Sequence, residues 1–345
     1  MNLRCRRSLT VMARKSYSKK GRNLEPAQMT LSFATPDIIG GAYTIDLSQA
    51  ASIANRRFYR QGINWAVASI KVFSTVSGAV SVGKLPTTWV MANSWKKGFD
   101  AWMKRTREAL AESNSAAGRF LDFKIYADSI HHQSGFGANL MPISFLGIAA
   151  TPGEWIPANI FTDPSTSTAG RFEVKAVGGN FGGVGASGYQ AVSLIDGYSA
   201  SRALPSESDP NTPADMVDVD SPTPENWMAA MFSENSQLND LQLTEAIEFD
   251  QPPYPFEGDG TALDTQYPGG PNQLPGLEYH DVAALVSYSG ATNVGVQTMK
   301  GGNFPCGLMR VNWTPEDGSS ANLVIQVNLI PGNHRGYLCE PMGDM

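Results

Sequence analysis

Residues 63–75 (INWAVASIKVFST) alternate apolar and polar positions, with Ile63, Trp65 and Val67 on one phase and Ile70 and Val72 on the other. Period-two alternation predicts a strand with one buried face, and the change of phase near Ala68 predicts a bulge. Strand-like runs recur at 80–82 and 87–91 on either side of Pro86, then at 120–126, 154–161, 171–177, 189–195, 280–288, 306–313 and 322–330. Residues 30–47 read as two extended pieces split by Pro36 and the Gly40-Gly41 pair, and 48–54 as one or two helical turns.

Two stretches break the β pattern. In 94–112, Trp95, Phe99, Trp102, Met103 and Leu110 fall at helical spacing, Ser94 can cap the start, and Lys96, Lys97, Lys104, Arg105 and Arg107 lie largely off that stripe. Residues 223–248 form the second predicted helix, with Pro224 in its first turn. Between and after them, 203–225 is rich in Pro, Asp and Ser and reads as an exposed loop, and 250–276, with six prolines, reads as irregular. Roughly ten strand candidates with long loops, two helices and no βα rhythm predict an all-β chain, a single jelly-roll sandwich with long insertions. The 34 glycines and 22 prolines fit such a turn-rich fold. The predicted division is a disordered basic arm over 1–28 and a shell domain over 29–345, with a Pro-rich acidic insertion at about 203–276.

Charge sharpens this picture. The net charge of −6 conceals a strong asymmetry: residues 1–202 carry 23 basic and 12 acidic side chains, whereas 203–299 carry 16 acidic ones and no Lys or Arg. The first 22 residues hold Arg4, Arg6, Arg7, Arg14, Lys15, Lys19, Lys20 and Arg22, and no acid. A segment this polar cannot bury enough apolar surface to offset its ordering entropy, so it is expected to be an arm for an anionic partner, most simply the phosphates of nucleic acid. A nuclear-import signal or a solvated tail accounts for the same composition. Residues 55–62 (NRRFYRQG) place Arg56, Arg57 and Arg60 around Phe58 and Tyr59, which suits charge-plus-stacking contact with single-stranded nucleic acid. A strand edge whose arginines pair with the acidic section is the structural alternative.

Other chemistry is poorly supported. Gly183 to Gly188 formally spell GxGxxG, but a strand-like run rather than a helix follows, so a loop with positive φ angles is expected. The run from Gly78 to Lys84 nearly forms a phosphate loop, yet Leu85 stands where Ser or Thr would hold magnesium and Pro86 follows. His131 and His132 are adjacent, which on a strand sends them to opposite faces, and His280 and His334 are isolated; hydrogen-bonded or solvated histidines are expected and no metal set is legible. Neither a Gly-x-Ser-x-Gly elbow nor EF-hand spacing occurs, and the Asp218/Asp220 pair lies in a run of acids. No catalytic residue, metal or cofactor is therefore expected.

Cys5, Cys306 and Cys339 include no CxxC pair and read as free, mostly buried thiols, although Cys306 and Cys339 flank the last strands and could be neighbours. Residues 9–13 are too short for a signal h-region, and no run reaches the ~20 apolar residues of a membrane span, so no insertion is expected. The sequon at Asn312 carries no weight without secretion. Met12 opens a second plausible start, which predicts some product lacking residues 1–11.

The runs SIANRRFYRQGINWAVASIKVF, PPYPFEGDGT…YPGG and GGNFPCGLMR…NLVIQVNLIPGNHRGYLCEPM resemble capsid proteins of small circular single-stranded DNA viruses that encode a replication initiator, of the kind recovered from aquatic environments. The likeness spans residues 45–342 and rests on overall similarity rather than on a catalytic signature. It implies a non-enzymatic jelly roll that self-assembles into an icosahedral shell around single-stranded DNA, with Arg4 to Arg22 facing the genome. Its implied partners are further copies of the chain, the DNA, a nuclear import receptor (RKSYSKKGR would suit one) and a host surface receptor. Its implied locations are the virion and the host nucleus. Two other readings remain open at this point: a non-capsid nucleic-acid-binding β protein, and a carbohydrate-binding jelly roll, which leaves the arm unexplained.

Overall fold

A computed structural model describes residues 26–36, 40–112, 122–161, 171–180, 183–202, 276–286, 294–316, 318 and 322–345. The chain is mostly β, with antiparallel pairing dominant and four α-helices among the described residues. One sheet has the order β1 (Thr30–Ala34), β11 (Leu323–Leu329), β3 (Ile63–Ser74), β9 (Gly295–Phe304). The short β14 (Cys339–Pro341) continues the β11 side of β3. The second sheet has the order β2 (Gly41–Asp46), β10 (Leu308–Pro315), β4 (Gly78–Lys84), β8 (Glu278–Leu285). Alternation explains the layering. Leu323, Ile325, Val327 and Leu329 of β11 are buried while the residues between them are half-buried. Leu31, Phe33, Trp65, Val72, Val311, Trp313 and Ile325 meet in one core between the sheets.

The phase change expected in β3 is a bulge: Asn328 pairs with Ser69 and Leu329 with Val67, so Ala68 is skipped. On the other side of β3, Gly301 faces the bulge, where a Cβ would lie 2.2 Å from the Val67 carbonyl oxygen; a side chain there would push the strands apart. β9 itself shows almost no apolar alternation (GVQTMKGGNF), and the sequence reading missed it as a strand.

Between β4 and β8 the chain runs through an insertion, residues 85–277, described over 85–112, 122–161, 171–180, 183–202 and 276–277. It holds α2 (Trp89–Glu112), α3 (Ser129–Ser134), β5 (Asn159–Phe161), β6 (Arg171–Lys175), β7 (Ala191–Ser193) and α4 (Leu194–Arg202). These surround a second core in which Trp95 stacks on Phe99 at 5.0 Å and meets Phe123 edge-on. Cys306, Leu308 and Met342 from the C-terminal part of the chain join that core, tying it to the sheets.

Several expectations fail in this region. The run 87–91 is not a strand, because α2 starts at Trp89 and turns Val90 and Met91 into the second core. Its start is held by Thr88, whose Oγ1 accepts from the Met91 amide, while Ser94 is buried inside the helix. Residues 122–125 are not a strand, and Tyr126 makes a single bridge to Lys175. Of 154–161 only 159–161 is strand, and of 189–195 only 191–193 is, before α4 begins. Each of these short apolar runs is equally compatible with helix or strand locally, so packing decides. The turns expected at 48–54 are α1 (Leu47–Asn55). The second predicted helix at 223–248 lies outside the described residues.

A buried polar seam fastens the insertion to the outer face of the second sheet. Arg310 of β10 pairs with Asp128, the residue whose carboxylate caps α3. His132 Nε2 lies 3.1 Å from Glu173 Oε2 of β6, and Lys175 Nζ donates to Ser129 Oγ. His131 and His132 are thus on one short helix, both fully buried, and not on opposite faces of a strand.

The remaining chain closes the molecule. β12 (Pro331–Gly332) and β13 (Gly336–Tyr337) form a small hairpin. Residues 140–143 run along the β1/β2 side, where the Leu140 amide donates to Thr44 and the Ile143 amide to Ser32. Cys306 and Cys339 are both free thiols, so the pairing raised as possible between them is not made; burial pushes both thiols up, Cys339 to about 12.

Candidate nucleic-acid interface

The eight cations of the expected arm, Arg4 to Arg22, and the second start at Met12 lie outside the described residues. The structure does place the point where that segment joins the body. The Gln28 amide donates to Asn55 Oδ1 at the C-terminus of α1, and Tyr337 Oη donates to the Gln28 carbonyl at 2.7 Å. Asn55 Nδ2 also donates to Tyr337 Oη, so the entering chain, α1 and the β12–β13 hairpin are locked together.

Arg56, Arg57 and Arg60 follow directly. They occupy the turn after α1 and not a strand edge. Arg56 and Arg60 are exposed and Arg57 is half-buried. Two cations that the sequence reading did not select join them. Arg335, in the β12–β13 turn, donates from its guanidinium to the Phe58 carbonyl. Lys124 sits with its ammonium 4.6 Å from the Trp155 ring centre and 5.5 Å from that of Phe58, two half-buried rings 5.9 Å apart. Asp122 is the acid among them, 3.6 Å from Lys124; burial pushes its carboxyl up while Lys124 and Arg60 pull it down. Cations beside aromatic faces are the elements of a surface that holds phosphates by charge and bases by stacking.

The backbone singles out the same arginines. Among the described residues, positive φ outside glycine occurs at Arg56 (φ 52), Cys306 (φ 55) and Arg335 (φ 50). The left-handed region costs a non-glycine residue on the order of 1 kcal/mol, and glycine is the usual choice at a helix C-terminus such as Arg56. The chain accepts that cost at two arginines on this one surface.

Asp46 organises the support underneath. Its Oδ1 caps α1 by accepting from the Ser48 and Gln49 amides at 2.9 and 3.2 Å. Its Oδ2 accepts from Gln61 Nε2 at 2.9 Å and Trp155 Nε1 at 3.0 Å. Gln61 in turn bridges to the Ile125 backbone, next to Lys124. One buried carboxyl therefore fixes the helix before the arginines, the residue after Arg60 and the ring under Lys124. Burial pushes this carboxyl up to about 7, against the pull of its four N–H donors. Asp46→Asn turns an amide NH2 toward two buried donors. It is expected to destabilise the fold by about 3 kcal/mol, measured by urea unfolding at fixed pH; a loss below about 0.5 kcal/mol would remove Asp46 from this role.

Sequence could expose Arg56, Arg57 and Arg60 because they are contiguous with aromatic residues. It could not expose Lys124 within an apparent strand, Trp155, or Arg335 in a remote turn, since only tertiary contacts assemble them.

The glycine-rich stretch has positive φ at Gly178, Gly183 and Gly188 and leads into β7, as a loop and not the mouth of a helix. Among the described residues no group of three or more His, Cys, Asp or Glu is arranged to hold a metal ion, and no helix is long and apolar enough to cross a membrane. No protein-family model, curated protein or solved structure matches this chain.

Proposed function

We propose that this chain is a capsid protein of a small circular single-stranded DNA virus, a jelly roll that assembles with copies of itself and packages DNA through its basic N-terminal segment. The observation that carries the reading is the junction at Gln28: the eight-cation segment enters the body between α1 and Tyr337, on the surface that bears Arg56, Arg57, Arg60, Lys124 and Arg335. The two interleaved sheet orders, β1-β11-β3-β9 and β2-β10-β4-β8, support the jelly-roll assignment, because eight strands wound as two Greek keys distribute in this way between facing sheets. Phosphate neutralisation by cations needs no sequence reading, which suits packaging of a whole genome. Nuclear import through the same basic segment, a host receptor, and residence in the virion and host nucleus belong to this proposal.

Negative-stain microscopy and sedimentation of the purified full-length protein test it. Uniform particles containing nucleic acid are expected; a nucleic-acid-binding monomer would instead establish a non-capsid β protein. The body's own contribution is tested by Arg56→Gln/Arg57→Gln/Arg60→Gln. Losing three phosphate contacts lowers the salt slope of single-strand binding by about 2 and reduces packaged DNA. An unchanged slope and unchanged DNA content would exclude these arginines from the interface.

A further inference from the structure

Two turns meet beside the point where the basic segment enters the body. The first ends α1: the Arg57 amide donates to the Ser52 carbonyl and the Arg56 amide to that of Ile53, the paired bonds of a Schellman motif, with Arg56 at φ 52 and ψ 38. The second joins β12 to β13: the His334 amide donates to the Tyr337 carbonyl and the Tyr337 amide to that of His334. With φ 50 at Arg335 and φ 105 at Gly336, this is the pattern of a type I′ turn. Three side-chain bonds hold the turns against each other. Arg335 donates to the Phe58 carbonyl, Tyr59 Oη donates to the Arg335 carbonyl at 3.0 Å, and Asn55 Nδ2 donates to Tyr337 Oη at 2.7 Å. The backbone favours glycine or asparagine at both left-handed positions, and each carries an exposed arginine instead. Cys306, the other such residue among those described, is fully buried in the second core, whereas Arg56 and Arg335 fill no core.

We infer that Arg56 and Arg335 form a two-armed clamp on the phosphodiester backbone of single-stranded DNA, although each weakens the turn that carries it. The inference rests on the proposal that this surface takes nucleic acid, and it names the residues that grip it. Local backbone preference broken without a packing gain marks a position under functional demand. The side chains identify the ligand. A guanidinium is a planar fork of donors that pairs with two phosphate oxygens at once, and both forks stand where the segment with eight further cations joins the body. The bonds between the turns fix the backbone spacing of the two arginines before binding, so less ordering entropy is lost on capture.

The test is the double variant Arg56→Gly/Arg335→Asn in the full-length chain, which gives each turn a favoured residue and removes both guanidinium groups. Fluorescence anisotropy reads binding of a thymine oligonucleotide to unassembled protein across salt, and the melting temperature is taken on the same protein without DNA. Affinity near physiological salt is expected to fall about tenfold, and the slope of log affinity against log salt by about 1.4. The melting temperature is expected to hold or to rise by up to about 3 °C. A purely structural role for the arginines predicts the reverse on both counts. A lower melting temperature would make them part of the fold, Arg335 through its bond to Phe58, and would overturn the inference. An unchanged slope would overturn it as well. Wild-type protein that binds with a steep salt slope, matched by the variant, would defeat the clamp and leave the nucleic-acid interface. Wild-type protein with no salt-dependent binding would defeat both.

Discussion

Deleting residues 1–22 is expected to lower affinity for single-stranded DNA by about three orders of magnitude near physiological salt while leaving the body able to assemble. The segment supplies eight cations, and the body supplies Arg56, Arg57 and Arg60 beside its point of entry. Each neutralised single-strand phosphate contributes about 0.7 to the slope of log affinity against log salt, so the slope should fall from about 8 to about 2. Fluorescence anisotropy on a thymine oligonucleotide, from about 50 to about 200 mM salt, reads both quantities on unassembled protein. A loss of affinity at constant slope would mean that the segment acts through folding or non-ionic contacts, and electrostatic packaging would have to be abandoned. Among the described residues the buried core between the sheets begins at Leu31, and particles lacking DNA are the expected product of the truncated chain.

A pH-dependent loss of stability centred on His131 is the second large effect. Burial, then the charges of Arg310 and His132, drive its imidazole from the ordinary 6.5 down to about 3, opposed by Asn139. The unfolded chain takes up a proton near 6.5 and the folded chain only near 3. The stability contributed by neutral His131 is therefore fully present above about pH 6.5 and is lost as pH falls toward 3. The slope is about 1.4 kcal/mol per pH unit, or about 5 kcal/mol over the whole window.

The groups facing this seam are Asp128, His132, Glu173, Lys175, Arg310 and Tyr126, so protonation strikes the fastening between the insertion and the second sheet. Asp46 acts in the opposite sense. A carboxyl held up to about 7 adds stability as pH falls from 7 to its ordinary value. Comparison with a variant removes that contribution. In His131→Asn the side-chain carbonyl still accepts from the Ala127 amide, which now donates to His131 Nδ1 at 3.0 Å. The wild-type advantage over this variant in urea unfolding should shrink by about 1.4 kcal/mol per unit below pH 6.5. Parallel pH profiles for the two proteins would remove His131 as the acid-sensitive group.

What could be read from the sequence was what local physics settles alone. The β3 strand with its bulge, the alternation of β11, and the helical stripe of Trp95, Phe99 and Trp102 all follow from periodicity, and each forms. The basic segment is defined by composition, and Arg56, Arg57 and Arg60 stood out because charge and aromatic residues are contiguous there.

Other features needed the assembled chain. β9 lacks an apolar period and forms because β3 offers it a partner around Gly301. Residues 87–91 and 194–195 carry apolar runs too short to choose between helix and strand, and the second core chose helix. His131 and His132 became a buried pair because Glu173 and Arg310 arrive from distant strands. Above all, Trp155 is held at the arginine surface by Asp46, 109 residues before it, Lys124 lies on that ring, and Arg335 arrives by donating to the Phe58 carbonyl. Sequence determined which segments were charged or periodic. Tertiary structure alone decided which of them meet, because contacts across that separation depend on buried hydrogen bonds and packing that no local pattern encodes.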